Sequence, residues 1–217
     1  MVKLFAAFAF ADQKSLGFDP TIEPYPGDGG QFVITVHPKG DKLNPRRFLT
    51  EKVLYSHGAE PLRGRGTRVF EAVEIGPNEN RIGSSSVVLK DIWIDSDRRR
   101  EGDILASLYE EADTKDRPLV RRYFLTAVCD GDVWTEMDIL DDTANTLMRG
   151  LDMTVSPASS INSPPNSLSN PQGKLTQTYT PKTHYRIVFE EKGTTIDRLN
   201  TLPEVMTVLA ETVSGAF

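Results

Sequence analysis

The chain has 217 residues, 38% of them hydrophobic and 26% charged, a profile suited to one large domain or two small ones. Lys and Arg total 25 against 31 Asp and Glu, a net charge of -6 that excludes a broad surface for nucleic acid or anionic membrane. The single cysteine, Cys129, excludes an internal disulfide framework and a cysteine-rich zinc site, and favours a reducing, intracellular compartment, cytoplasm or nucleus.

The first residues, MVKLFAAFAFADQ, have the outline of a secretory leader: one Lys, an apolar core from Leu4 to Phe10, and small residues at Ala9 and Ala11. The core is short for a leader, and the rival reading is a short buried helix or strand at a domain edge. No segment reaches the ~20 apolar residues of a membrane-spanning helix. Residues 17–30, GFDPTIEPYPGDGG, are too rich in Pro and Gly for regular structure. QFVITV (Gln31 to Val36) and FLTEKVLYS (Phe48 to Ser56) then read as strands.

Gly64 and Gly66 precede an alternating run in which Val69, Val73 and Ile75 share one face and Phe70 and Ala72 the other. GPNENRIG is turn chemistry and SSSVVLKDIWI a return strand, so residues 67–94 are expected to form a hairpin. DSDRRREGDILASLYEEA follows as a helix with Ser96 or Asp97 as its cap. Its apolar Ile104, Leu105 and Leu108 lie at i+3, i+4 and i+7 from Glu101. Arg98 to Arg100 oppose the helix dipole and read as a solvated face, with a phosphate contact as the alternative.

Arg122 to Leu140 reads as two strands turning at DGD. From Asp141 to Lys182 the chain is dominated by Ser, Asn, Pro, Thr and Gln, too little apolar surface to offset ordering entropy, and is expected to be a disordered insert. HYRIVFEE (His184 to Glu191) is a strand. A terminal helix follows, with Thr201 and Glu204 at capping-box spacing and an apolar stripe of Leu202, Val205, Met206, Leu209, Val213, Ala216 and Phe217. The stripe still runs at the last residue, which suggests a truncated protein. His37, His57 and His184 are scattered without metal-ligand spacing, and no metal site is expected.

Two charges stand out. Lys90 leaves a strand whose neighbours Val87, Val88, Leu89 and Ile92 are apolar, and Glu101 lies on the apolar side of the next helix. Either charge would be costly alone, so the pair is expected to meet across the strand-helix contact. A glycine-bearing turn, a strand, a return strand with a lysine and a helix with an inward glutamate together make a phosphate-binding device. Turn amides cover the phosphates, the lysine neutralises them, and the glutamate orients the lysine. Taken alone, the same spacing also fits a peripheral ion pair, and GRGT alone fits a plain turn.

The motifs LGFDPTI (Leu16 to Ile22), GRGTRVFEA (Gly64 to Ala72), VVLKDIW (Val87 to Trp93), REGDIL (Arg100 to Leu105) and THYRIVFEEKGTTIDRL (Thr183 to Leu199) occur in that order. In them the chain resembles the fungal-type protein kinase domain, over roughly residues 16–217 apart from the polar insert. The resemblance implies an α+β fold: a kinase-like N-lobe, an antiparallel sheet with one packed helix, truncated before the catalytic loop. It implies an extension at 1–30, sheet and helix at 31–140, the insert at 141–182, and last strand, hinge and first C-lobe helix at 183–217.

By the same resemblance Gly64 and Gly66 form the glycine-rich loop, with Arg68 nearest the place of its third glycine, and Val69 packs on adenine. Lys90 binds phosphate and Glu101 pairs with it, Glu110 and Glu111 being the alternative partners. Phe189 is the gatekeeper, and the backbone of Glu190 and Lys192 is the adenine-binding hinge. The implied cofactor is ATP, with Mg2+ only in a full-length relative, and the implied activity is γ-phosphate transfer to protein Ser or Thr. H-R-D and D-F-G occur nowhere in the sequence, so no catalytic residue is assigned. A pseudokinase-like module that docks a protein through its terminal helix, and a fragment of a small-molecule phosphotransferase, stand as rivals.

Overall fold

Alternating apolar residues build a curled antiparallel sheet accompanied by several helices, an α+β architecture. The structure, a computed structural model, describes residues 2–12, 16–27, 29–56, 66–136, 138–145, 180–194 and 196–214. In chain order these form α1 (Val2–Phe10), β1 (Ile22–Pro24), β2 (Phe32–Val36), β3 (Arg46–Ser56), β4 (Arg68–Ile75) and β5 (Val87–Asp95). Then come α2 (Glu101–Glu111), α3 (Arg117–Tyr123), β6 (Ala127–Asp132), β7 (Trp134–Glu136), β8 (Ile139–Leu140), β9 (Lys182–Phe189) and α4 (Leu202–Ser214).

Among the described residues the main sheet runs β1-β2-β3-β4-β5-β9-β6, every neighbouring pair antiparallel. Its inner face buries Ile34, Val36, Phe48, Phe70, Ala72, Leu89 and Val188. Full burial of an aliphatic or aromatic side chain contributes roughly 1.5–3 kcal/mol, so this row dominates the drive to fold. The sheet curls until β6 meets the corner after β2: Lys39 donates its backbone N–H to Asp130 O at 2.8 Å, and Arg46 Nη1 donates to Val128 O at 3.2 Å. Gly131 permits that approach, since a Cβ there would lie 2.0 Å from His37 O. The outer face carries Val33, Leu49, Val73 and Ile75 in one patch. A second outer patch, Ile92, Tyr185, Ile187 and Phe189, receives Leu105 of α2.

Several expectations need correcting. DGD is no turn: Asp130, Gly131 and Asp132 lie inside β6, opposite Ile187, Arg186 and Tyr185. The glycine serves close approach, which sequence composition cannot distinguish from turning. Residues 122–123 close a helix, α3, with Pro118 in its first turn. The Pro-rich stretch 17–30 includes an edge strand, β1, where Pro24 is tolerated. In α1 the aromatic Phe5, Phe8 and Phe10 are exposed, not buried. The cap of α2 is Arg100, with no side-chain cap hydrogen bond, rather than Ser96 or Asp97.

Asp141 to Asn145 and Thr180 to Lys182, the margins of the polar insert, are tied to the sheet. Asp142 and Thr143 are buried, and Thr143 Oγ1 accepts from Lys182 N at 2.8 Å. Residues 146–179 lie outside the described residues, as do Gly64, Ala216 and Phe217. The capping box of α4 is formed: Glu204 N donates to Thr201 Oγ1 at 3.4 Å, and Glu204 Oε2 accepts from Asn200 N and Thr201 N, each at 3.1 Å. No helix among the described residues is long and apolar enough to cross a membrane.

Candidate functional site

Period-two alternation puts Val88, Lys90 and Ile92 on the outer face of β5 and Leu89 and Asp91 on the inner face. Opposite residues in antiparallel strands share a face, so Val69 of β4, Lys90 of β5, Ile187 of β9 and Asp130 of β6 form one row. Lys90 Nζ donates to Glu101 Oε2 at 2.6 Å, and Glu110 and Glu111 lie at the far end of the helix. Glu101 is the first residue of α2, where the helix dipole favours a carboxylate. The two side chains are 26% and 41% exposed, so the pair is open to solvent or a ligand.

A relay fixes where α2 begins. Gly102 donates its N–H to Tyr185 Oη at 2.9 Å, and Tyr185 Oη donates to Asp130 Oδ2 at 2.8 Å. Burial, with Asp130 beside it, pushes the Tyr185 hydroxyl far above its ordinary pKa, so it stays a donor. Burial likewise raises the Asp130 carboxyl, partly offset by that hydrogen bond. A Cβ on Gly102 would fall 2.3 Å from Asp130 Cγ, which sets how closely the helix sits. The sheet-facing side of α2 is therefore Glu101, Gly102 and Leu105, while Ile104 and Leu108, expected to point inward, are exposed.

The row beyond Lys90 holds Val88, Phe189 and Glu71, with Phe189 only 3% exposed at the end of β9. Glu190 donates its N–H to Thr126 O at 3.0 Å, so a ligand at this residue meets its carbonyl instead. Lys192 Nζ donates to Glu71 Oε2 at 2.5 Å, and that bond holds the Glu71 carboxyl below the usual range. Glu71 carries no sequence signal beyond alternation. On the glycine-bearing side, Gly66 has φ +44 and lies above Trp93, whose Cδ1 is 3.5 Å from the position of a Cβ.

The inner face beneath this row holds a charged network that the sequence does not announce. Asp91, 1% exposed, accepts from His184 Nε2 at 2.6 Å and Arg186 Nε at 2.8 Å through Oδ1. Its Oδ2 accepts from Arg68 Nε and Nη2 at 2.9 and 2.6 Å. Burial alone would raise the Asp91 pKa, but His184, Arg186 and Arg68 hold it far below the carboxylate range. Arg186 continues to Thr21 Oγ1, Thr35 O and Asp19 Oδ2, and His184 Nδ1 donates to Asp141 Oδ2 at 2.8 Å. Burial opposes charge on His184, but Asp91 and Asp141 outweigh it and raise its pKa.

Asp19, Asp141 and His184 also have ligating atoms within 4.8 Å of one another, a proximity that the scattered histidines did not foretell. Both His184 ring nitrogens are occupied by carboxylates, and Arg186 already neutralises Asp19, so the cluster is a filled ion network rather than a cation cradle.

The model of one protein family, described as fungal protein kinase, matches residues 1–216. Neither the curated proteins nor the solved structures include a match to this chain.

Proposed function

Because the chain belongs to the fungal protein kinase family, we propose that its sheet and α2 form a nucleotide-binding lobe, with the Lys90–Glu101 pair as the phosphate-binding element. One observation carries this reading: a strand lysine held at 2.6 Å by the first residue of the packed helix, on the face that also bears Val69 and Phe189. In kinases a strand lysine paired with a helix glutamate contacts the nucleotide phosphates, beneath a glycine-rich loop. By that assignment the backbone around Gly64 and Gly66 covers the phosphates, Val69 packs on adenine, Phe189 limits pocket depth, and Glu190 and Lys192 meet the adenine edge.

Mg2+ does not fit the described residues of this face. Its nearby carboxylates Glu101 and Glu71 are each taken by a lysine, Asp130 accepts from the Tyr185 hydroxyl and Asp132 pairs with Arg100, and among the described residues the clustered set of ligating groups lies on the inner face. The family transfers the ATP γ-phosphate to protein Ser or Thr, and that chemistry needs an H-R-D aspartate and metal-binding positions that this sequence lacks. The 217-residue chain thus binds nucleotide weakly and transfers no phosphate by itself.

The test is a thermal-shift titration with ATP alongside a γ-phosphate labelling assay. A modest ATP-dependent rise that disappears in Lys90→Ala, with no labelling above background, is the expected result. Labelling by the purified chain that Lys90→Ala abolishes would overturn the claim of incompetence. Absence of any ATP effect would overturn the nucleotide reading. A second reading, a protein-docking module, draws on α4, whose Leu202, Met206 and Leu209 are exposed on one stripe.

A further inference from the structure

We propose that Tyr185 is a positioning residue: by holding the backbone of Gly102 it places the first turn of α2 so that Glu101 meets Lys90. This deepens the nucleotide reading above and rests on it. The first turn is held residue by residue, each time from a different element. Arg100 forks onto Asp132 of β6, with Nε to Oδ1 at 2.7 Å and Nη2 to Oδ2 at 3.2 Å. Glu101 meets Lys90 of β5 at 2.6 Å, Gly102 donates its N–H to Tyr185 Oη of β9 at 2.9 Å, and Asp103 pairs with Lys39 in the corner after β2.

Of these holds only the one at Gly102 grips the main chain of α2. Long side chains such as Arg100, Lys90 and Lys39 follow a helix through several positions by changing rotamer. A partly exposed ion pair such as Lys90–Glu101 is too weak to place a helix. A hydrogen bond to a backbone N–H has no such slack. Adjacent Cα atoms are about 3.8 Å apart, so fixing residue 102 fixes where the side chain of residue 101 starts.

The anchor is itself held. Tyr185 is 1% exposed and lies inside β9, opposite Ile92 of β5 and Asp132 of β6. Its hydroxyl proton is committed to Asp130 Oδ2 at 2.8 Å, which leaves an oxygen lone pair to accept from Gly102. Further along, α2 is held less closely. Ile104 and Leu108 are exposed, and a cavity of about 550 Å³ is lined by Leu105, Ala106 and Tyr109 of α2 and by Val120, Phe124 and Leu125 in and after α3. The first turn therefore carries the registration of Glu101.

Amide hydrogen exchange and ATP titration of the full chain test this together, on wild type, Tyr185→Phe, Glu101→Ala and the double variant. Tyr185→Phe keeps the packed ring and removes the oxygen. It is expected to speed exchange of the Gly102 amide by about tenfold and to weaken ATP binding about fivefold, with residues 186–188 as protected as in wild type. Glu101→Ala weakens binding at least as much and leaves nothing for Tyr185→Phe to remove, so the double variant binds like Glu101→Ala alone. Asp130→Ala leaves the tyrosine oxygen but frees its hydroxyl to turn. It gives part of both effects, and carries the test if Tyr185→Phe does not fold. Wild-type exchange at Gly102 in Tyr185→Phe, or in Asp130→Ala where that variant stands in, overturns the proposal. So does a double variant weakened by the product of the two single losses, which marks a structural role that does not act through Glu101. A wild-type chain that fails to bind ATP overturns the nucleotide reading instead, and the Gly102 amide then decides the anchor by itself.

Discussion

Asp91 and His184 share a short hydrogen bond inside the sheet, and each needs the other charged. The folded pKa of Asp91 lies below its ordinary 3.8, so its contribution is present above that value and is lost as pH falls through the depressed range. The folded pKa of His184 lies above its ordinary 6.5, so its contribution is full below 6.5 and fades as pH rises through the raised value. Stability against urea is therefore expected to be greatest between about pH 4 and 6.5 and to decline on either side. His184→Gln should flatten the alkaline decline; an unchanged profile above pH 6.5 would remove His184 as its source. Arg186→Met, which strips Asp91 of a fully buried partner, is expected to destabilise by about 3–5 kcal/mol in the same assay. Lys90 and Glu101 were legible in sequence because each interrupts an apolar period. The partners of Asp91 were not, because Arg186 lies 95 residues away and strand order alone brings it there.

At the scale of elements, α2 shows where periodicity stops being informative. The i+3 and i+4 pattern after Glu101 identifies a helix, and the helix is there. Its packed face is chosen instead by Gly102, which slips under the Tyr185–Asp130 relay and turns Ile104 outward. A glycine adds nothing to an apolar count, so the rotation was invisible. The same blindness made a turn of Asp130 to Asp132, where Gly131 admits the His37 carbonyl. The strands fared better, since alternation reports a two-sided sheet directly. Alanine at 102 would be favoured by roughly 1 kcal/mol on helix propensity. The structure predicts the reverse sign, a loss of about 1–3 kcal/mol in urea unfolding, because the new methyl displaces the Asp130 carboxylate. A stabilised Gly102→Ala would mean that α2 can lift from the sheet without cost.

For the molecule as a whole, apolar surface is unevenly covered. Phe5, Phe8 and Phe10 of α1 and Leu202, Met206 and Leu209 of α4 are exposed, while the sheet interior is sealed. Contiguous exposed apolar stripes favour association. Met206→Ser combined with Leu209→Ser is expected to lower the light-scattering mass of the purified chain at high concentration. If the parent is already monomeric and the variant identical to it, α4 does not mediate contact. The helix itself should persist in the variant, since its Thr201–Glu204 box does not involve the stripe.

The position of β9 has a temporal consequence. It is made after every other described strand and yet lies between β5 and β6, with Lys182 reaching back 87 residues to Asp95. Until it arrives, β5 and β6 each present a bare row of amide and carbonyl groups, and Asp91 waits in a half-built sheet without His184 or Arg186. The roughly 40 residues between Leu140 and Lys182 take about 2–8 s to translate, so this open intermediate persists for seconds in every round of synthesis. Two unpaired edges held open that long are templates for mispairing with another chain. The buried charge cluster then acts as the closing latch, satisfied only once β9 has been made.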